Sequence, residues 1–315
     1  MNKSTRRIST AGMDRSEWLE LRRKSIGGSD AAAIVFLNPF SSPFSVWAEK
    51  TGRMPEKPES EAMRQGRDLE DYVATRWTEK TGKKVKRENA ILYNDAYPFA
   101  CANIDRRIVG ENAGLECKTT SVMNLKRFKG GDYPASYYVQ CVHYMAVTGA
   151  DRWYLGVLVL NQGFYEFTIE RDEGEIAALM EQEREFWKLV ESDTPPAPDG
   201  LDATSGAIGT IYAESDGGMV DLFGRDALLG EYEATRNQMA LLNTDLKRMA
   251  QTLKLDMQEA ETGACGLYAV KWKKAVRSYV SIPLLRQVYP KLDLSKVMKA
   301  SVSRRFSVTK KEEMD

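Results

Sequence analysis

The chain has 315 residues, 43% of them apolar, and no apolar run long enough to span a bilayer, so it can build one large or two modest cores and is neither disordered nor membrane-spanning. Lys plus Arg equal Asp plus Glu at 45 each, yet residues 271–311 hold twelve bases and one acid, Asp293, while residues 172–191 hold seven acids and two bases. Cys101, Cys117, Cys141 and Cys265 are widely separated, which argues against a zinc or iron–sulfur site and a disulfide framework; MNKSTRRIST lacks a secretory h-region, and a reducing cytoplasm is the expected compartment.

In chain order, the pattern predicts an opening helix over 16–24, then IGGSDAAAIV, where Ser29 or Asp30 caps a short helix behind the Gly27-Gly28 turn. A helix over 60–80 carries Leu69, Tyr72, Val73 and Trp77 on its apolar stripe and stops at Gly82. Strand-like runs follow at 90–93, 99–108 and 115–119, separated by Asn94-Asp95 and by the turn at 110–114. A helix over 135–148 comes next, then strands over 153–160 and 164–170 split by Asn161-Gln162-Gly163, and an acidic helix over 173–191. The Pro- and Gly-rich run TPPAPDGLDATSGAIG, 194–209, marks a linker, so the expected organisation is a domain over 1–193, a linker over 194–220 and a second domain over 221–315.

Past the linker, Tyr232, Met239, Leu242, Leu246, Met249 and Leu253 recur at alternating three- and four-residue steps, with Thr235 the weak position. That seam fits a coiled coil or a long helix packed on its own domain, and self-packing is the expectation. GLYAVKWKKAVRSYVSI and SRRFSVT read as strands around a short helix near 282–289. The basic tail, interleaved with Trp272, Tyr279, Tyr289 and Phe306, suits a phosphate-binding surface as well as it suits an ordinary solvated face.

The stretch AGLECKTTS poses the chemical question. Glu116 and Lys118, two apart, share one face of a strand, and neither is cheap to bury. A lone acid-x-Lys pair carries little meaning, and the second match, Asp245-Leu-Lys247, reads as surface charge on the heptad helix. The first has a neighbourhood: Asp105, in FACANIDRRI, precedes it by eleven residues, enough for a hairpin that sets the two carboxylates side by side. Like charges at that distance repel unless a cation lies between them, and hard oxygen donors suit Mg²⁺ or Mn²⁺. Lys118 can orient an attacking water or stabilise charge on a phosphate oxygen. Glu70, in Gly66-Arg-Asp-Leu-Glu70, offers a third acid, and Gln140, with Tyr144 one turn on, offers a hydrogen-bonding group. His143 is the only histidine, which excludes a two-histidine mechanism.

WLELRRKSIGGSD, GRDLE, NID, LECKTTS and YYVQ, in this order and spacing, resemble the YqaJ-like viral recombinases, relatives of phage lambda exonuclease within the PD-(D/E)XK nuclease superfamily, over about residues 16–191. The resemblance implies an α/β fold: a PD-(D/E)XK core, a mixed central sheet flanked by helices, with a C-terminal helical and β appendage. It implies Glu70, Asp105 and Glu116 as metal-binding acids, joined by the Cys117 main-chain carbonyl, Lys118 as catalytic lysine and Gln140 as active-site glutamine. Arg22 and Ser29, seven residues apart, match positions that grip a terminal 5′-phosphate; an Arg fork and a hydroxyl at a helix start suit an anion. Two departures stand out: Arg106 and Arg107 follow Asp105 where relatives tend to carry Gly, so Arg106 is a candidate phosphate contact, and Asn124 replaces an expected second gripping Arg, with Lys126 or Arg127 as substitutes.

The resemblance thus implies a Mg²⁺-dependent (Mn²⁺ possible) 5′→3′ exonuclease that acts on double-stranded DNA ends and leaves a 3′ single strand for an annealing recombinase, with a trimeric ring by analogy. A structure-specific or restriction-type endonuclease, or a non-catalytic DNA-binding recombination scaffold, are the alternatives.

Overall fold

In the computed structural model, residues 5–56, 58–294, 297, 298, 304 and 306–308 are described. The chain forms two units, residues 1–212 and 213–315. The first contains, in order, β1 (Thr5–Ser9), α1 (Arg15–Arg23), α2 (Gly28–Ile34), α3 (Pro43–Lys50), α4 (Glu61–Thr81), β2 (Val85–Arg87), β3 (Ala90–Asn94), β4 (Tyr97–Ala102), β5 (Arg106–Ile108), β6 (Ala113–Thr120), α5 (Leu125–Lys129), α6 (Ala135–Thr148), β7 (Arg152–Val159), β8 (Gly163–Glu170), α7 (Glu173–Glu191) and α8 (Asp202–Ile211).

The main sheet runs β2-β5-β6-β7-β8 and is mixed: β6 and β7 are parallel, the other pairs antiparallel. A parallel step needs a crossover, and the residues between β6 and β7 supply it as α5 and α6. Alternation along β7 sends successive side chains to opposite faces. Trp153 packs with Tyr144 of α6, their rings 5.2 Å apart, and Tyr154 packs with Trp77 of α4 at 5.0 Å. One face is therefore covered by α6 and the other by α4, the α/β arrangement expected. A second sheet, β1-β3-β4, is antiparallel.

The single strand expected over 99–108 is divided between these sheets: β4 belongs to the small one, β5 to the main one, and Asn103–Asp105 lie between. Gly27, not Ser29 or Asp30, is the N-cap of α2; the Asp30 carboxylate instead reaches back to accept from Gly27 N at 2.9 Å. Within the stretch expected as a linker, α8 is helical and packs on α3. Its Thr204 and Ala207 are buried, and the Thr204 hydroxyl bridges Ser42 Oγ (2.7 Å) and Asp199 Oδ2 (2.9 Å).

The second unit holds α9 (Asp226–Met257), β9 (Thr262–Cys265), β10 (Tyr268–Lys271) and α10 (Ile282–Val288). The seam helix forms over 32 residues, but the expected self-packing is not met: α9 buries none of its residues, and Met239, Leu242, Leu246, Met249 and Leu253 are all exposed. The long 266–282 strand is reduced to a four-residue partner in the β9-β10 hairpin, and 272–281 is irregular. Of the strand expected over SRRFSVT, Arg304 and residues 306–308 are described and belong to no strand; Ser303, Arg305 and Thr309 lie outside the described residues. No helix among the described residues is long and apolar enough to cross a membrane.

Candidate active site

Glu116 and Lys118 lie on β6 and face α6, as their spacing predicts. Lys118 Nζ stands 2.6 Å from Glu116 Oε1 and donates to Gln140 Oε1 at 2.8 Å. Gln140 Nε2 closes the triangle, donating to Glu116 Oε1 at 2.7 Å and to the Tyr144 hydroxyl oxygen at 2.8 Å. Tyr137, one turn before Cys141 on α6, sets its ring 5.3 Å from the Lys118 ammonium, a cation–π contact.

The β5-β6 register pairs Arg106 with Leu115, so Asp105 comes level with Glu116. Asp105 Oδ2 accepts from Cys117 N at 2.7 Å, which ties the carboxylate to the strand that carries the other acid. Burial, then the Glu116 and Glu70 carboxylates, raise the Asp105 pKa well above the ordinary carboxylate range. Burial works against charge on Lys118, but Glu116 and Asp105 outweigh it and its pKa rises, so the ammonium stays protonated. Burial, followed by the same acids, pushes the Cys117 thiol well up, which leaves it no nucleophilic role.

Glu70, on α4, does not close on the other two acids. It is bonded to Arg106, whose second arm holds Asp71 at 2.5 Å and which also donates to its own neighbour's carbonyl, Asp105 O, at 2.6 Å. Arg106 is 3% exposed. Its guanidinium, expected as a phosphate contact, is here paired with Glu70 and with the exposed Asp71.

Among the described residues, no three His, Cys, Asp or Glu side chains stand close enough together to hold a metal ion as they are. The donors nonetheless fit a hard divalent cation in kind. Glu116 Oε1 takes two hydrogen bonds while Oε2 is buried with no partner, and an orphaned buried carboxylate oxygen beside a second carboxyl, that of Asp105, calls for a cation. Glu70 and Asp105 also line one cavity of about 190 Å³ at this end of the sheet.

Arg22 and Ser29 do meet. Arg22 Nη2 donates to Ser29 Oγ at 2.9 Å, and the guanidinium lies over the Trp18 ring at 4.8 Å. The start of α2 rests on the α6 side chains named above: a Cβ on Gly28 would fall 2.5 Å from Tyr144 Cε1 and 3.1 Å from Gln140 Cγ. Lys126 and Arg127 are exposed on α5, and Arg127 faces Asp132 at 3.6 Å. His143 is fully buried between Glu183 and the Cys101 carbonyl, both at 2.8 Å, and is structural.

Sequence reasoning missed two contributors. Tyr137 is visible only as the YY pair before Gln140, which also reads as core. Lys50, on α3, reaches Asp30 Oδ2 at 2.6 Å and Arg22 O at 2.8 Å, and nothing local distinguishes it from any lysine ending a helix.

The YqaJ-like viral recombinase domain matches residues 17–151. The protein YqaJ of Bacillus subtilis (strain 168) is 39% identical over 302 residues, covering 94% of this chain and 94% of its own length. Among solved structures, an alkaline exonuclease (LHK-Exo) from Laribacter hongkongensis is 18% identical with a TM-score of 0.48, covering 57% of this chain and 94% of that one. A phage related exonuclease from Haemophilus somnus 129PT is 11% identical with a TM-score of 0.44, covering 56% and 99%.

Proposed function

The chain belongs to the YqaJ-like viral recombinase family, and from that premise we propose that it is a metal-dependent 5′→3′ exonuclease that digests one strand of duplex DNA from an end. The observation that carries the reading is Glu116: one oxygen is held by Lys118 and Gln140, while the other is buried without a partner beside Asp105. Glu116, Asp105, Glu70 and the Cys117 main-chain carbonyl are the groups that would hold Mg²⁺ or Mn²⁺. Bound there, the ion would supply Lewis-acid activation of water and offset charge on the scissile phosphate.

The chain's own contributions follow from its contacts. The Lys118 ammonium orients the attacking water or neutralises charge that builds on a phosphate oxygen. Gln140 fixes the ammonium and the Glu116 carboxylate relative to one another, so neither reorganises as the reaction proceeds. Arg22 and Ser29 bind the terminal 5′-phosphate, and the protein leaves a 3′ single strand for an annealing partner. Lys126 and Arg127, exposed just beyond β6, are available to the DNA backbone.

Lys118→Ala and Glu116→Gln are expected to lower nucleotide release from linear duplex with Mg²⁺ by ~10²-fold or more, with the far-ultraviolet spectrum retained. Release at the wild-type rate from either variant overturns the assignment. Closed circular DNA should persist; its cleavage would turn the reading to an endonuclease.

A further inference from the structure

Behind Arg22 lies a buried ion pair that the chemistry so far does not use. Asp30 and Lys50 side chains are 9% and 5% exposed and their charges meet at 2.6 Å. An isolated charge in such a place is expensive, so each must answer to the other or to a neighbour. Asp30 has three. Its Oδ2 accepts from Lys50 and from Gly27 N at 2.9 Å, and its Oδ1 stands 3.7 Å from Arg22 Nη2.

That last distance is the informative one. The same Arg22 nitrogen donates to Ser29 Oγ at 2.9 Å, and a carboxylate 3.7 Å away is a rival for it. Arg22 is 30% exposed, so one side of its fork meets water. Lys50 also donates to the Arg22 main-chain carbonyl at 2.8 Å, so a single ammonium holds the backbone of Arg22 and occupies the carboxylate that would otherwise take its side chain.

We propose that Lys50 is a positioning residue for the terminal-phosphate grip: by neutralising Asp30 it keeps the Arg22 guanidinium beside Ser29 and available to an anion, instead of closed on the Asp30 carboxylate. The inference rests on Arg22 and Ser29 being that grip. Burial opposes ionisation of Asp30, but Lys50 and then Arg22 hold its carboxyl at about 2. It therefore stays anionic at neutral pH, and loss of Lys50 leaves Arg22 as the cation that answers its charge, beside the Gly27 N–H. Without Lys50 the rival contact strengthens, and a phosphate must displace a full carboxylate.

The test is equilibrium binding of the full chain, in EDTA, to a blunt hairpin duplex ending in 5′-phosphate or 5′-hydroxyl, so that no cleavage intervenes. Wild type should prefer the phosphorylated end, and Arg22→Ala should lose that preference. Lys50→Met should reduce it by ~tenfold, the scale of one charge-assisted hydrogen bond, with affinity for the hydroxyl end little changed. Asp30→Asn with Lys50→Met removes the rival carboxylate with the ammonium and should restore most of the preference, which a purely structural role for Lys50 would not produce. This double variant, free of any unpaired buried charge, also carries the test if the single variant does not fold.

No preference in wild type, or a preference unaltered by Arg22→Ala, overturns the grip and this role with it. A preference lost with Arg22 but kept in Lys50→Met, or lost in a folded double variant, overturns the role of Lys50 alone.

Discussion

Gln140 links the two charged halves of the candidate site, and the direction of its amide is set by its partners: an ammonium can only donate and a carboxylate only accept, so Oε1 faces Lys118 and Nε2 faces Glu116. Its support is a missing side chain. A methyl group on Gly28 would fall 2.5 Å from the Tyr144 ring and 3.1 Å from Gln140 Cγ, so Gly28→Ala is expected to displace Gln140 without touching an acid or Lys118. Overpacking of this kind costs ~1–3 kcal/mol, while a misplacement near 1 Å can cost ~10²-fold in rate. Melting temperature and nucleotide release measured together should show activity falling far more than stability, and Gly206→Ala, where an added Cβ meets nothing, should leave release unchanged and raise the melting temperature slightly, as Ala for Gly does within a helix. At this scale the sequence was legible where period two governs: Glu116 and Lys118 on one face, Asp105 level with Glu116. The pairing of Arg106 was not legible, because its partners Glu70 and Asp71 lie on α4, some 35 residues earlier, and no local pattern brings them near.

Among the elements, α6 and α7 end where their punctuation says, at Pro134 and Gly149 and at Asp172, whose carboxylate caps Glu175 N. β1 and β2 escape periodicity because TRRIS and VKR are charged edge strands whose register comes from β3 and β5. α3 is eight residues long, too short for a repeat to declare itself. What joins α6 to α7 was equally hidden: His143 and Glu183 are forty residues apart and both fully buried, and the second ring nitrogen bonds the β4 carbonyl of Cys101. Burial opposes charge on the imidazole, but Glu183 more than offsets it and the His143 pKa is raised. This latch sits one turn from Gln140, so it fixes the helix that carries that side chain. His143→Ala strands the Glu183 carboxylate and is expected to cost ~3–5 kcal/mol in chemical denaturation. Replacing both with leucine should recover most of that, since a buried pair adds little over well-packed apolar side chains; a double variant as unstable as the single one would mean that the latch stabilises the fold outright.

At the scale of the whole molecule, the question is what the second unit adds. Lys271, Lys273, Lys274, Arg277, Arg286 and Lys291 are all exposed, as a surface that meets a polyanion requires. Composition alone drew the boundary at the Pro- and Gly-rich run, but α8 forms within that run and buries Thr204 and Ala207 on α3. Two truncations separate folding from binding. A chain ending at Tyr212 keeps α8 and should melt like the first unit of the full chain, while one ending at Asp199 exposes the Ser42 side of α3 and should melt lower. If the basic tail grips DNA, the chain ending at Tyr212 binds duplex more weakly, and its plot of log affinity against log salt is shallower by ~0.9 for each phosphate that the tail neutralises in the full chain. The slope decides between charge and shape, because an apolar or protein-docking role would weaken binding without altering the number of counterions released. A slope equal to that of the full chain would therefore remove the tail from the DNA path and leave the exposed seam of α9 as the feature of the second unit still in need of a partner.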